Sequence, residues 1–161
     1  MAHWVRLTLI VAFGCLIAGC AVQPTSTART TNPARLQKVR TTAYTHTEGS
    51  GSRNAIGRRL SSGGIKSASS DWSRYPLGTR FRVLSTGEEY VIDDYGGALV
   101  GTNTIDLYKS SRGAMNRWGV RHVDIEILHW GSDQESLKVL RPRSRVGRVR
   151  RMIASLEKKQ S

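Results

Sequence analysis

The sequence predicts an all-β domain, a small barrel or sandwich, and three features of the chain carry that expectation. About six short runs rich in β-branched and aromatic residues fall within roughly 90 residues and are separated by glycine-rich turns. Two of them, RFRVLS and HVDIEIL, alternate strictly between apolar and polar side chains, the period of a half-buried strand. Only one segment of that region, SSRGAMNRWG, has the marks of a helix.

Taken in order, ordered structure is expected to begin near Val39, where VRTTAYTH reads as the first strand. TEGSGSRNAIG is a loop by composition, and Ile65 to Ser69 forms a short second strand. Tyr75-Pro76-Leu77-Gly78 fits a turn with proline second and glycine fourth. RFRVLS directs Phe81 and Val83 one way and Arg80 and Arg82 the other. A Thr86-Gly87 turn joins it to EEYVIDD as a hairpin. Thr104 to Tyr108 is a short strand. In the helix that follows, Ser110 or Ser111 is the N-cap and Gly119 lies beyond the end. HVDIEIL closes the domain, with Val123, Ile125 and Ile127 inward and Asp124 and Glu126 outward.

The flanks differ in kind. The chain of 161 residues has a net charge of +13. Residues 41–130 hold 11 Lys/Arg and 9 Asp/Glu, while residues 131–161 hold 9 Lys/Arg and 3 Asp/Glu. A near-neutral domain with basic ends argues against a nucleic-acid partner, which would place the charge on the domain itself. In residues 131–161, Ser136 to Leu140 is a helical turn. After Pro142, Val146, Val149, Ile153 and Leu156 recur at helical spacing among arginines. That pattern describes either a basic amphipathic helix suited to anionic envelope polymers or a solvated tail. At the other end, Arg6 precedes an apolar run from Leu7 to Leu16 that is too short for a comfortable membrane span, the layout of a secretory signal. Ile17-Ala18-Gly19-Cys20 resembles the bacterial lipobox. That resemblance implies a signal over residues 1–19, lipidation of Cys20 and, because Ala21 follows, an outer-membrane lipoprotein facing the periplasm. A plain cleaved signal or an uncleaved anchor is the alternative. Residues 20–38, polar and containing Pro24 and Pro33, read as a flexible tether. Cys15 and Cys20 are the only cysteines, so the domain itself has no disulfide and no cysteine metal site. His3, His46, His122 and His129 show no metal-ligand spacing, and neither a metal nor another cofactor is expected.

Carboxylates carry the chemical interest. VIDDYGGALVGTNTIDLY sets Asp93 and Asp94 before a loop containing Gly96, Gly97 and Gly101, and Asp106 after it; Asp71 lies upstream. Asp106 sits in a strand-like run, where aspartate is disfavoured, which points to function. Asp94 beside two glycines, and Asp71 in its loop, have plain alternatives as turn residues. Asp93 alternates with Asp94 and is expected to face solvent. The glycines permit close approach of a sugar or of another strand, and Tyr44, Trp72, Tyr95 and Tyr108 are sugar-stacking or core aromatics.

Five segments, standing in the same order, resemble the three-aspartate (3D) domain found in membrane-bound lytic transglycosylase A and in wall-associated bacterial proteins. They are Thr42-Ala43-Tyr44; Asp71 with Pro76-Leu77-Gly78-Thr79; Asp94-Tyr95-Gly96-Gly97-Ala98; Gly101 with Ile105-Asp106-Leu107-Tyr108; and Arg121 to Leu128. The resemblance covers residues 39–130. Tyr95 stands where that family has threonine, the Gly97–Asp106 loop is one residue longer, and Asn54-Ala55-Ile56-Gly57 replaces a T-A-S-G segment. The resemblance implies a six-stranded double-psi β-barrel that cleaves the MurNAc–GlcNAc β-1,4 bond of peptidoglycan strands to a 1,6-anhydro product. It assigns acid/base work to Asp106, with Asp94 and Asp71 as further catalytic aspartates and Tyr44, Gly96, Gly97 and Tyr108 in substrate contact. An aspartate of ordinary pKa is a poor proton donor near neutrality, so the acid is expected to be raised by burial or by a neighbouring carboxylate. Two other functions compete: a non-catalytic wall-binding or scaffold lipoprotein, and a two-carboxylate glycoside hydrolase.

Overall fold

The alternating runs become six strands: β1 (Ala34–Tyr44), β2 (Lys66–Ser70), β3 (Arg80–Val83), β4 (Glu89–Tyr95), β5 (Ile105–Tyr108) and β6 (Arg121–His129). They close into a barrel in the order β1-β5-β2-β4-β3-β6. The β1/β5 and β2/β4 pairs are parallel and the remaining pairs are antiparallel. Closure gives every strand two partners and leaves no free edge. The computed structural model describes residues 34–48 and 51–161, all within one compact unit running from Asn32 to Ser161. The expected signal, Cys20 and the tether as far as residue 33 lie outside the described residues.

β1 begins at Ala34, five residues before the expected start at Val39. Its early part is polar but still pairs with β6. A register shift between Leu36 and Val39 accommodates it, with Lys38 at φ 52° and the Lys38 amide donating to Asp124 Oδ1 at 2.9 Å. The β3–β4 hairpin and its inward face are as the alternation predicts: Phe81, Val83, Tyr90 and Ile92 are fully buried, and the Phe81 and Tyr90 rings stack at 5.5 Å. β6 buries Val123, Ile125 and Ile127. Glu126, expected to face solvent, is also buried, because Arg82 Nη1 at 3.1 Å and Arg35 Nε at 3.8 Å hold its carboxylate against the barrel. The Tyr75–Gly78 turn closes one residue later than expected. The Thr79 amide donates to the Pro76 carbonyl, and Gly78 adopts φ 90° as the third residue, where a side chain would be strained.

Helix α1 (Arg112–Trp118) has the caps its sequence announces. The Ser111 hydroxyl accepts from the Ala114 amide, and Gly119 ends the helix at φ 62°. The C-terminal part takes the helical form that was one of its two expected readings, with α2 (Asp133–Leu140), a 3-10 turn (Arg141–Arg143) and α3 (Gly147–Lys158), and it goes beyond that expectation by packing into the core. Leu137, Leu140, Val149, Met152 and Leu156 are each at most 3% exposed and share one hydrophobic cluster with the barrel core. Val146, expected on the apolar stripe, is the N-cap in extended conformation and is exposed; Met152 takes the place in the seam. The link into α2 is docked on the Pro76–Thr79 turn through Gly131. A Cβ at Gly131 would collide with the Pro76 and Leu77 carbonyl oxygens.

Because α3 supplies core side chains, Leu156→Ala is expected to lower the unfolding free energy by about 2–5 kcal/mol. Gly131→Ala, which forces backbone apart, should cost about 1–3 kcal/mol. Urea denaturation followed by tryptophan fluorescence checks both; losses under about 0.5 kcal/mol would mean a C-terminal segment that is not part of the fold.

Candidate functional site

In β5 the sequence IDLY buries Ile105 and Leu107 completely, so Asp106 between them must project from the outer face of the barrel. Register then decides its neighbours. Thr42 of β1 and Ser69 of β2 are both paired with Asp106, and Ser69 is paired on its other side with Asp94 of β4. Thr42, Asp106, Ser69 and Asp94 thus form one row across four adjacent strands. Two strand spacings, about 10 Å, separate the backbones of Asp106 and Asp94.

Strict alternation would not place Asp94 in that row. β4 carries a β-bulge: Ala68 faces Ile92, the next residue Ser69 faces Asp94, and Asp93 is the extra residue. Asp93 therefore does not turn out to solvent as its alternation with Asp94 predicts. Its Oδ2 accepts from Ser67 Oγ at 2.7 Å and Asn54 Nδ2 at 2.8 Å, while its buried Oδ1 has no hydrogen-bond partner among the described residues. Burial raises the Asp93 carboxyl above the ordinary aspartate range. Asp94 Oδ1 accepts from the Ala55 amide at 3.0 Å and from its neighbour's amide, Tyr95 N, at 2.9 Å. Burial is again the main cause of its shift. The charge of Asp93 adds to it, the two amides and Arg143 oppose it, and the Asp94 carboxyl stands at about 6. Asp106 Oδ1 accepts from Thr42 Oγ1 at 2.6 Å. Burial raises this carboxyl too, helped by the charge of Glu48 and opposed by Thr42 and Arg40. The like charge acting on Asp106 is that of Glu48, and the one acting on Asp94 is that of Asp93. A proton shared directly between Asp94 and Asp106 is not what their separation favours.

Tyr44 and Tyr108 pair across β1 and β5, two residues beyond Thr42 and Asp106, with ring centroids 5.5 Å apart. The Tyr44 hydroxyl is buried and has no hydrogen-bond partner among the described residues. Burial first, and then the charges of Asp94, Asp93 and Asp106, hold the Tyr44 phenol firmly protonated. Tyr108 OH lies 2.9 Å from His46 Nδ1.

Asp71 stands apart from the row. It is 2% exposed, Oδ1 accepts from Ser73 N and Oγ, and Oδ2 accepts from the Gly101 amide at 2.7 Å. It ties down the far end of the glycine loop. Trp72, one of the possible stacking faces, is fully buried; its Nε1 donates to the Asp94 carbonyl at 2.8 Å and its ring meets the edge of Tyr95. Asp71 and Trp72, adjacent in sequence, therefore hold the two ends of the loop between Asp94 and Gly101. The glycine pair is accounted for by the chain's own packing. The space of a Cβ at Gly96 is taken by Leu99, and at Gly97 Arg148 Nη1 and Cδ would lie 3.0 and 3.1 Å away. Arg143 joins this cover, donating from Nη2 to the Ala55 carbonyl at 2.8 Å with its guanidinium 6.0 Å from the Tyr95 ring centroid.

Sequence reasoning did not single out Ser69, Arg143 or Arg148. Ser69 is identified only by strand register, and the two arginines reach the loop from a segment that is merely basic in sequence. Among the described residues, no group of three or more His, Cys, Asp or Glu side chains is placed to hold a metal ion, and no helix is long and apolar enough to cross a membrane. No protein-family model matches the chain, and no curated protein matches it either. Fold and site together define a closed six-stranded β-barrel carrying two part-buried carboxyl groups in one row of its outer face.

The Asp94 carboxyl, at about 6 in the folded chain against an ordinary 3.8, favours folding while it holds its proton. That stability is present below the ordinary value and lost as pH rises through the folded one. An asparagine at this position keeps an oxygen for both amides, so Asp94→Asn is expected to stabilise the protein by about 1–3 kcal/mol near pH 8 and to change little near pH 4. Denaturation midpoints at the two pH values check this.

Proposed function

We propose that this chain is an envelope-anchored lytic transglycosylase that cleaves the MurNAc–GlcNAc β-1,4 bond of peptidoglycan. The observation that carries the reading is the Asp106–Ser69–Asp94 row, in which both carboxyls are raised by burial yet each residue stays partly exposed. Three of the five segments that resemble the three-aspartate domain, Thr42–Tyr44, Asp94–Ala98 and Ile105–Tyr108, fall on strands of this row, and Asp71 fastens the loop between two of them. The mixed parallel and antiparallel barrel order is compatible with the double-psi topology that the resemblance implies.

In this reading Asp106, as the acid, gives its proton to the glycosidic oxygen as the bond from the muramoyl anomeric carbon breaks. The same group, now a carboxylate, takes the proton of the muramoyl 6-hydroxyl as that oxygen attacks the anomeric carbon. No water is added and a 1,6-anhydro ring closes. Asp94 supplies a second carboxyl to the oxocarbenium-like centre. Thr42 and Tyr44 orient and desolvate Asp106, and Asp71 positions the loop without touching glycan. Lipid at Cys20 would tether the barrel to the outer membrane, facing the periplasm, and the exposed arginines of α3 would meet anionic envelope polymers.

One observation favours a second reading, a non-catalytic wall-binding lipoprotein: Leu99 and Arg148 occupy the space beside Gly96 and Gly97 that a sugar would otherwise approach. Incubation with purified sacculi and mass spectrometry of the soluble products decides between them. Anhydro-muropeptides are expected from the wild type. Asp106→Asn should reduce their release at least about 100-fold while retaining cooperative unfolding. Binding without release would establish the second reading, and new reducing ends would make the chain a hydrolase.

A further inference from the structure

Away from the carboxyl row, a cavity of about 260 Å³ opens where β2, the β3–β4 turn, the end of β5 and α1 meet. None of Asp71, Asp94 and Asp106 lines it, whereas Lys66, Lys109, Arg117 and Arg121 do, with Glu88 as the one carboxylate. The size is below that of drug-sized ligand sites, which start at roughly 300 Å³, and suits a single functional group.

The internal pairing leaves positive charge over. Glu88 Oε1 is held by Lys66 Nζ, and Glu88 Oε2 accepts from Tyr90 OH at 2.7 Å and Lys109 Nζ at 3.2 Å. Burial works to raise the Glu88 carboxyl, but these donors outweigh it and bring it to about 2, so the carboxylate is already committed. Lys109 donates also to Tyr90 OH at 2.7 Å and lies 4.5 Å from the Trp118 ring centroid. An ammonium has three donors, and these two bonds leave one without a hydrogen-bond acceptor among the described residues. Arg121 stacks on the same indole, 4.7 Å from its centroid, and donates to the Trp118 and Arg117 carbonyls. Among the described residues neither Arg117 nor Arg121 pairs with a carboxylate. Burial is the main cause that depresses the Lys109 ammonium; Glu88 opposes it, and the charges of Lys66 and Arg121 add smaller pushes in the same direction as burial.

We propose that this cavity binds a small oxyanion, a carboxylate or phosphate group, between Lys66, Lys109, Arg117 and Arg121. The anion would occupy the free donor of Lys109 and the unpaired guanidinium of Arg117, with Ser62 and Ser110 at the rim as hydroxyl donors. The aromatic floor of Trp118 keeps Lys109 and Arg121 in place before the ligand arrives. This inference is independent of glycan cleavage and stands whether or not the carboxyl row is catalytic.

The test is a titration of the full chain with inorganic phosphate and, separately, with N-acetylglycine at constant ionic strength, followed by amide and indole NMR shifts. Saturable shifts are expected at Lys66, Lys109, Arg117 and the Trp118 indole. Binding is expected to weaken at least about tenfold in Arg117→Ala, whose side chain is exposed and whose backbone carbonyl still serves Arg121. Glu88→Gln, checked for cooperative unfolding, should bind several-fold more tightly because the internal competitor loses its charge. A response to phosphate alone or to the carboxylate alone would identify which chemistry the site takes. Absence of saturable shifts with both probes, or shifts unchanged in Arg117→Ala, would overturn the proposal.

Discussion

β4 carries one more residue than β2 between the rungs Ala68–Ile92 and Ser69–Asp94. Without that residue the alternation that buries Ile92 would turn Asp94 towards the same interior, where an uncompensated carboxylate is costly. The bulge brings Asp94 into line with Asp106, places Asp93 within reach of Ser67 and Asn54, and increases the local bend so that the loop to Gly101 can fold back over the strand ends. Trp72 and Asp71 then fasten that loop, and the C-terminal arginines cover it. The arrangement of the acids is therefore a property of register, enforced by the fully buried side chains on the other face of the same strands.

Much of this was legible in the sequence. RFRVLS and HVDIEIL gave their inward faces correctly because each is apolar on one face only, and α1 was bounded by Ser111 and Gly119 because both caps have local chemistry. What escaped was non-local. A bulge has no composition of its own, so Asp93 read as a solvent-facing partner of Asp94. Glu126 kept its place in the alternation yet is covered by Arg82 and Arg35, which come from other strands. In α3 the helical spacing already marked Val149 and Leu156 as apolar stripe, but not Met152, and the surface on which this seam packs exists only once the barrel has formed. The cavity of four cations was invisible for the same reason: its residues are scattered over β2, β5, α1 and β6 and have no sequence spacing in common.

Two electrostatic regimes occupy the same small barrel. On the outer row, carboxyls are desolvated with little cationic support, and their protonated forms gain. Around Glu88, by contrast, cations exceed the available carboxylate, and burial above all puts the ammonium of Lys109 under pressure to lose its proton. The two are close in the sheet: Tyr108 lines the cation cavity and packs its ring on Tyr44, whose hydroxyl feels the acids. Separate signs of charge on either side of an aromatic pair let each region hold its own protonation state.

The parallel pairing of β1 with β5 joins Thr42 to Asp106, 64 positions apart, and the other edge of β1 is filled by β6. Neither partner exists until most of the chain has been made. A topology dominated by such distant pairings must close long loops before contacts reward it, and domains of that kind fold in milliseconds to seconds rather than microseconds. During synthesis the first strand waits with both edges open, and the barrel can be sealed only by the strand that ends at His129.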